Sequence, residues 1–249
     1  MKILLTNDDG IDAPGLEVLH NIARELTEDD NITVVAPATE QSGVGHAITY
    51  TQDLVYEPRD KGIAVFGTPA DCVLVGCHQI LDGLPDLILS GVNRGNNAGE
   101  NTFYSGTLGA AIEGALQSCH AIALSQFYGP ELQGHDVFSA SKALGAEAVQ
   151  KILDADIWDN GASKLYYNVN FPPMTSEHVK GLEYCAQGFR DGAFSAQQTD
   201  HHTVRLAGTL QPQRTGAGTD VELNLDGFVS ITPCTLDLTA HKALKALRG

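Results

Sequence analysis

The chain has no CxxC pair, and its five cysteines (Cys72, Cys77, Cys119, Cys185 and Cys234) are odd in number and scattered. That spacing argues against a structural zinc site and a disulfide framework, and the thiols read as small buried apolar groups. No apolar run approaches the roughly 20 residues that a membrane-spanning helix needs, so no membrane partner is expected. The opening MKILLTNDDG lacks the charged start, apolar run and small-residue cleavage site of a secretory signal, and a soluble, cytoplasmic protein is expected. Basic residues are scarce: 15 Lys and Arg face 31 Asp and Glu, for a formal charge of −16. Such a surface repels phosphate backbones and offers no counterion-release term, which argues against a nucleic-acid polymer as partner. A phosphate-bearing substrate would need a local reversal of the field, and a divalent cation is the simplest means. Three familiar fingerprints are missing as well. There is no GxxxxGK[ST] loop and no GxSxG elbow, and Gly43-Val44-Gly45 lacks the third glycine of a dinucleotide loop.

What remains is an aliphatic chain. Hydrophobic residues make up 43% of 249 and aromatics only 6%, which suits layered α/β packing in one compact domain or a core with an appendage. Lys2 to Thr6 is a short buried strand that stops at Asn7-Asp8-Asp9-Gly10. Asp12-Ala13-Pro14-Gly15 starts a helix with Leu16, Leu19, Ile22, Ala23 and Leu26 on one face, and Ile32 to Ala36 is the next strand. This β-loop-α-β unit predicts a right-handed parallel crossover. Ile48 to Phe66 reads as hairpin-like excursions. Ala70 to Ile80 reads as a helix begun by Thr68-Pro69, and Leu87 to Ser90 as a buried strand. A long polar loop, Gly91 to Gly106, leads to a helix over Thr107 to Leu116. Strand Ala121 to Ser125, helix Val137 to Leu153 and strand Leu165 to Phe171 continue the alternation. From about 180 to 235, runs such as Val221 to Leu225 and Phe228 to Ile231 resemble β-hairpins outside the main sheet. Leu238 to Leu247 reads as a terminal helix. The expected division is a Rossmann-like core at 1–180 and a β-hairpin and helix extension at 181–249.

Three polar loops follow three strands: Asn7 to Gly10, Gln41 to Gly43 and Asn93 to Thr107. In an open parallel sheet these loops line one edge and share a crevice. Asp8 and Asp9 can both reach one ion where the strand turns at Gly10, and Ser42 and Asn93 are oxygen donors of the kind hard divalent cations accept. The same Asp-Asp-Gly also suits an ordinary turn and helix cap. Tyr104-Ser105-Gly106-Thr107 stands at a helix mouth, where free N–H groups receive phosphate, although a Ser/Thr N-cap is an equally good account. His46 lies in the Ser42 loop and could face the crevice. His201-His202 reads as a solvated or interface pair in the tail.

These segments together resemble the SurE family of survival proteins, which act as 5′/3′-nucleotidases. The matching stretches are ILLTNDDGIDAPGL (3–16), VVAPATEQSG (34–43), GTPADCV (67–73), PDLILSGVNRGNN (85–97) and YSGTLGAAIEGAL (104–116), with YYNVNFP (166–172), SITP and LDLTAH beyond. The resemblance implies a Rossmann-like parallel sheet with helices on both faces. It implies one Mg2+ or Mn2+ per subunit, bound by Asp8, Asp9, Ser42 and Asn93. Asn97 and the Ser105-Gly106-Thr107 turn would hold the phosphate, and Asp8 or Asp9 would position or deprotonate the attacking water. The implied substrates are nucleoside 5′- and 3′-monophosphates, with a broad phosphomonoesterase or short-chain polyphosphatase as the alternative. The resemblance also implies a homodimer or homotetramer in which the C-terminal hairpin region is exchanged between subunits. Two positions depart from the family pattern: Arg94 replaces a small residue and Asn96 a proline.

Overall fold

The computed structural model describes residues 1–190, 194–208 and 213–249. Strand β1 (Ile3–Thr6) is buried at every position, as a central strand must be when helices cover both faces. Helix α1 (Pro14–Arg24) carries Pro in its first turn, where the missing N–H has no intrahelical partner to lose, and buries Leu16, Leu19 and Ile22. Strand β2 (Ile32–Pro37) returns parallel to β1, with Ile3 opposite Ile32. The expected excursion over 48–66 contains one hairpin, β3 (Tyr56–Arg59) antiparallel to β4 (Gly62–Val65). Helix α2 (Pro69–Val75) opens on a capping box in which Thr68 and Asp71 each accept the other's backbone N–H. It ends earlier than predicted, since Gly76–Ile80 widens into a single π-helical turn.

Strand β5 (Leu87–Arg94) runs on past Ser90, where the sequence suggested a loop. Its pairing with β6 (His120–Gln126) shifts register between Ser90 and Asn93 and then resumes at Asn93↔Ser125 and Arg94↔Gln126. The irregularity sits at Gly91, whose φ is 135° and whose place would put a Cβ 2.2 Å from the Leu124 carbonyl oxygen. Only glycine fits there, and the break it makes in the polar-looking sequence hides a continuing strand. Between β5 and β6 lies α3 (Gly106–Leu116), and beyond β6 lie α4 (Ser139–Ala155) and β7 (Leu165–Phe171).

The later chain holds β8 (Leu182–Tyr184), the hairpin β9 (Phe194–Asp200) and β10 (Thr203–Gly208), α5 (Asp220–Leu225), β11 (Val229–Thr235) and α6 (His241–Arg248). Two corrections follow. Val221 to Leu225, expected as strand, is helical: Val221 and Asn224 are buried at helical spacing, and that packing overrides the two-residue alternation. The run at Phe228 to Ile231 falls within β11 or just before it, and β11 joins the main sheet antiparallel to β7. The β9–β10 pair does form a separate two-stranded sheet. Parts of the expected hairpin region, residues 191–193 and 209–212, lie outside the described residues.

The main sheet has nine strands in the order β3-β4-β2-β1-β5-β6-β7-β11-β8, parallel from β4 through β7. Helices α1 and α4 pack on one face through Leu19, Ile22, Val149 and Ile152, while α2 and α3 cover the other through Val73, Leu108 and Ala111. The chain winds outward from β1 to β4 on one side and from β5 to β7 on the other. The reversal falls between β1 and β5, where the loops at the strand ends separate and leave a crevice. Among the described residues no helix is long and apolar enough to cross a membrane.

Candidate active site

The crevice at that reversal is a cavity of about 540 Å³ whose walls include Asp8, Asp9, Ser42, Asn93, Asn97 and Ser105. Six residues expected to work together therefore border one space. Gly106 and Thr107 do not border it. They stand behind Asp8.

The turn after β1 is closed by Asn7, which accepts the Gly10 N–H at 3.2 Å and donates to the Gly10 carbonyl at 2.8 Å. Local turn chemistry is thus handled by the asparagine, and the two aspartates are not used for it. Asp8 is instead held from across the fold. Its Oδ1 accepts the Thr107 hydroxyl at 2.7 Å and its Oδ2 accepts the Thr107 backbone N–H at 3.1 Å. Gly106 makes this approach possible, since a Cβ there would stand 2.9 Å from the Asp8 Cβ. Asp9 Oδ2 accepts the Arg94 backbone N–H at 3.1 Å, and Oδ1 is left for another partner. The Ser42 loop is stitched on by the Gln41 N–H to the Asp8 carbonyl at 2.7 Å and the Gly45 N–H to the Tyr104 carbonyl at 3.0 Å.

Burial pushes the Asp8 carboxyl up to about 6, with the charge of Asp9 adding to the rise and the Thr107 hydroxyl opposing it. Burial also raises Asp9, joined by the charge of Glu40 and offset by the Arg94 backbone N–H. Burial is the larger cause of both shifts, and the Arg94 charge opposes it at Asp9 without cancelling it. The other donors suit a cation. Asn93 gives its amide N–H to the Gly95 carbonyl at 3.1 Å, which turns its side-chain oxygen into the free end. Ser42 donates its proton to Glu40 at 2.7 Å and keeps lone pairs to offer. Two carboxylates, one amide oxygen and one hydroxyl form a hard, all-oxygen set of the kind magnesium or manganese accepts. Among the described residues no group of three or more His, Cys, Asp or Glu could hold a metal, so any ion here relies on the amide and hydroxyl.

The tip of α3 meets the cavity at Ser105, whose hydroxyl oxygen caps the Leu108 N–H at 3.1 Å. The N-cap reading of Ser105 is therefore correct, and its own O–H proton is still available to a ligand. Of the first N–H groups of α3, those of Thr107, Leu108 and Gly109 already have acceptors in Asp8 and Ser105, which leaves that of Gly106. Thr107, expected at the phosphate, is bonded to Asp8 instead. Asn97 is braced from behind: its N–H donates to Asn170 Oδ1 at 2.8 Å and its side-chain amide to Ser125 at 2.8 Å. One amide proton of Asn97 is still free for a ligand.

His46 does not border this cavity. It pairs with Glu113 on α3 at 2.7 Å and lines a separate space of about 630 Å³. That hydrogen bond is the main reason Glu113 sits below the usual carboxylate range. His201 and His202 lie together in the turn after β9, rings 4.7 Å apart and exposed. Sequence reasoning missed Glu40, Tyr128 and Phe194, which also wall the cavity. Glu40 could have been found two residues before Ser42, and Tyr128 in the loop after β6, a fourth strand end on the same edge. Phe194 carries no local signal.

A family model described as Survival protein SurE matches residues 3–193. The chain belongs to the SurE family. A relative from Cereibacter sphaeroides named 5′-nucleotidase SurE is 50% identical, covering 100% of this chain and 99% of that one. One from Roseobacter denitrificans with the same name is 49% identical with the same coverage. The solved SurE protein from Aquifex aeolicus is 35% identical and superposes with a TM-score of 0.83 over 100% of this chain and 98% of its own. The Rossmann-like sheet with its added hairpin is thus a SurE fold.

Proposed function

We propose that this SurE chain hydrolyses nucleoside 5′-monophosphates, and 3′-monophosphates at the same site, to nucleoside and inorganic phosphate. Relatives at about half identity across the full length are named for the first of these activities. The observation that carries the chemistry is the meeting of Asp8, Asp9, Ser42 and Asn93 around one cavity beside the tip of α3. These four residues would hold one Mg2+ or Mn2+ per subunit. Such an ion, when bound, offsets phosphate charge and lowers the pKa of a coordinated water. Asp9 is better placed than Asp8 to orient or deprotonate the attacking water, because both oxygens of Asp8 are engaged by Thr107. Ser105 and the free proton of the Asn97 amide hold the phosphate oxygens, helped by the Gly106 N–H and the partial positive charge of the helix tip. Thr107 acts through Asp8, fixing its rotamer.

The test is phosphate release from AMP, GMP, 3′-AMP and short polyphosphate after EDTA treatment, with Mg2+ or Mn2+ added back. Release from the monophosphates that vanishes with EDTA and returns with metal supports the reading. Faster release from polyphosphate than from any nucleotide would shift it to the alternative substrate class, and no release under any metal would leave a nucleotide-binding subunit.

Two further proposals concern the whole molecule. The segment 181–249 serves homodimer or homotetramer formation, supported by apolar side chains it leaves in solvent: Leu206 at 72%, Leu238 at 92% and Leu247 at 84% exposure. Light scattering on the purified chain tests it, and a monomer at micromolar concentration would end it. A cytoplasmic location is supported by all five cysteines being free thiols.

A further inference from the structure

Arg94 is the one lysine or arginine among the described residues bordering the cavity of Asp8 and Asp9. Its backbone N–H is fixed on Asp9 Oδ2 at 3.1 Å, and its charge acts on the same carboxylate, though the two do not form an ion pair. That guanidinium lies over the Tyr128 ring, 5.2 Å from the centroid. The ion pairs made by Arg24, Arg59, Arg190 and Arg214 have no counterpart at Arg94 among the described residues. An unpaired cation in a chain of charge −16 has many carboxylates to choose from and here takes an aromatic face instead.

Other wall residues share this character. Tyr104 and Phe194 meet edge to face with centroids 4.8 Å apart, and like Tyr128 each is about half exposed. A phosphate group needs only the carboxylate and helix-tip end of a 540 Å³ space, which leaves room for the rest of an ester. A guanidinium over the face of a phenol ring, with a second aromatic pair bordering the same space, matches a planar heteroaromatic group in polarisability. The free edge of a guanidinium adds in-plane donors for ring nitrogens and exocyclic oxygens.

We propose that Arg94, placed over the Tyr128 ring, is the residue that receives the nucleobase and so selects nucleotides over other phosphate esters. This rests on the nucleotidase reading above. Arginine rather than lysine is required, because the role needs a plane and a fork as well as a charge. Tyr128 serves as the backing that holds the plane.

The experiment compares KM and kcat for wild type, Arg94→Ala, Arg94→Lys and Tyr128→Ala on AMP, GMP and p-nitrophenyl phosphate under saturating Mn2+. Arg94→Ala is expected to raise KM for AMP and GMP about 10-fold more than for p-nitrophenyl phosphate, the usual scale for loss of a stacked base. Tyr128→Ala should follow it, and Arg94→Lys should not restore the nucleotide KM. Equal losses on all three substrates would overturn the assignment by placing Arg94 at the phosphate. Full rescue by lysine would overturn it too, since charge alone would then suffice. A wild type that hydrolyses AMP with Arg94→Ala unchanged removes the Arg94 role alone. A wild type that cleaves p-nitrophenyl phosphate but no nucleotide removes the nucleotidase reading along with it.

Discussion

Asp8 and Asp220 are both buried carboxylates, and they grip the two ends of one stretch of chain, Gly99 to Thr107. What answers their charge differs. Asp220 accepts three backbone N–H groups, from Gly99 at 2.9 Å, Gly188 at 2.7 Å and Val221 at 2.8 Å. Asp8 has a single partner residue, Thr107, and a second carboxylate next door. Burial raises both, yet Asp220 is opposed by donors on several sides whereas Asp8 is pushed further by Asp9. Burial of a carboxylate is therefore a poor guide to function, and the census of donors around it is a better one. Asp220 is a clasp. Asp8, with one partner residue and a like charge beside it, is the carboxylate we propose as a cation ligand.

The sharpest way to break this contrast is to neutralise each side. Asp9→Asn should lower metal-dependent kcat roughly a thousandfold while the fold is kept, measured by phosphate release and circular dichroism. Wild-type turnover in that variant would remove the carboxylate pair from the chemistry. Asp220→Ala should do the reverse, costing about 3 kcal/mol of stability in a denaturant titration because buried N–H groups lose their acceptor. A loss there as small as that of an average surface change would mean the clasp is not one.

Titration separates the two by sign. The folded-state value of Asp8, about 6, lies above its unfolded value near 4, so protonation favours the fold. In the metal-free protein the stability of wild type relative to Asp8→Asn should be greatest below pH 4. It should fall by about 3 kcal/mol as pH rises from about 4 through 6, and added Mn2+ should reverse the fall. A flat difference across that window, measured by urea unfolding, would contradict the raised value. The smallest effect belongs to the tie between the Ser42 loop and α3. His46→Ala removes one partly exposed hydrogen bond to Glu113 and should cost about 1 kcal/mol, seen as a melting shift of a few degrees.

The convergence of Asp8, Asp9, Ser42 and Asn93 on one cavity was legible in the sequence because a parallel sheet delivers every loop at its strand ends to one edge, whatever their separation along the chain. The bond of Thr107 to Asp8 was not legible, because a helix-tip residue can face either ligand or neighbour, and only the approach of β1 to α3 decides which. Gly91 concealed the continuation of β5, since glycine and polar residues read as loop unless the adjoining strand is known. Alternation misled at Val221 to Leu225, where the anchors of Asp220 and Asn224 on β7, β11 and the Gly99 turn outweigh a weak local pattern. Glu40 and Phe194 belong to the cavity through tertiary placement that no spacing rule reports.

The bond from the Gly99 N–H to Asp220 joins points 121 residues apart. During synthesis the aspartate pair and its sheet leave the ribosome long before that acceptor does. Until Asp220 is made, the segment from Gly99 to Thr107 is held at its Asp8 end alone, so a chain cut short before residue 220 would keep every proposed ligand and lose this fastening.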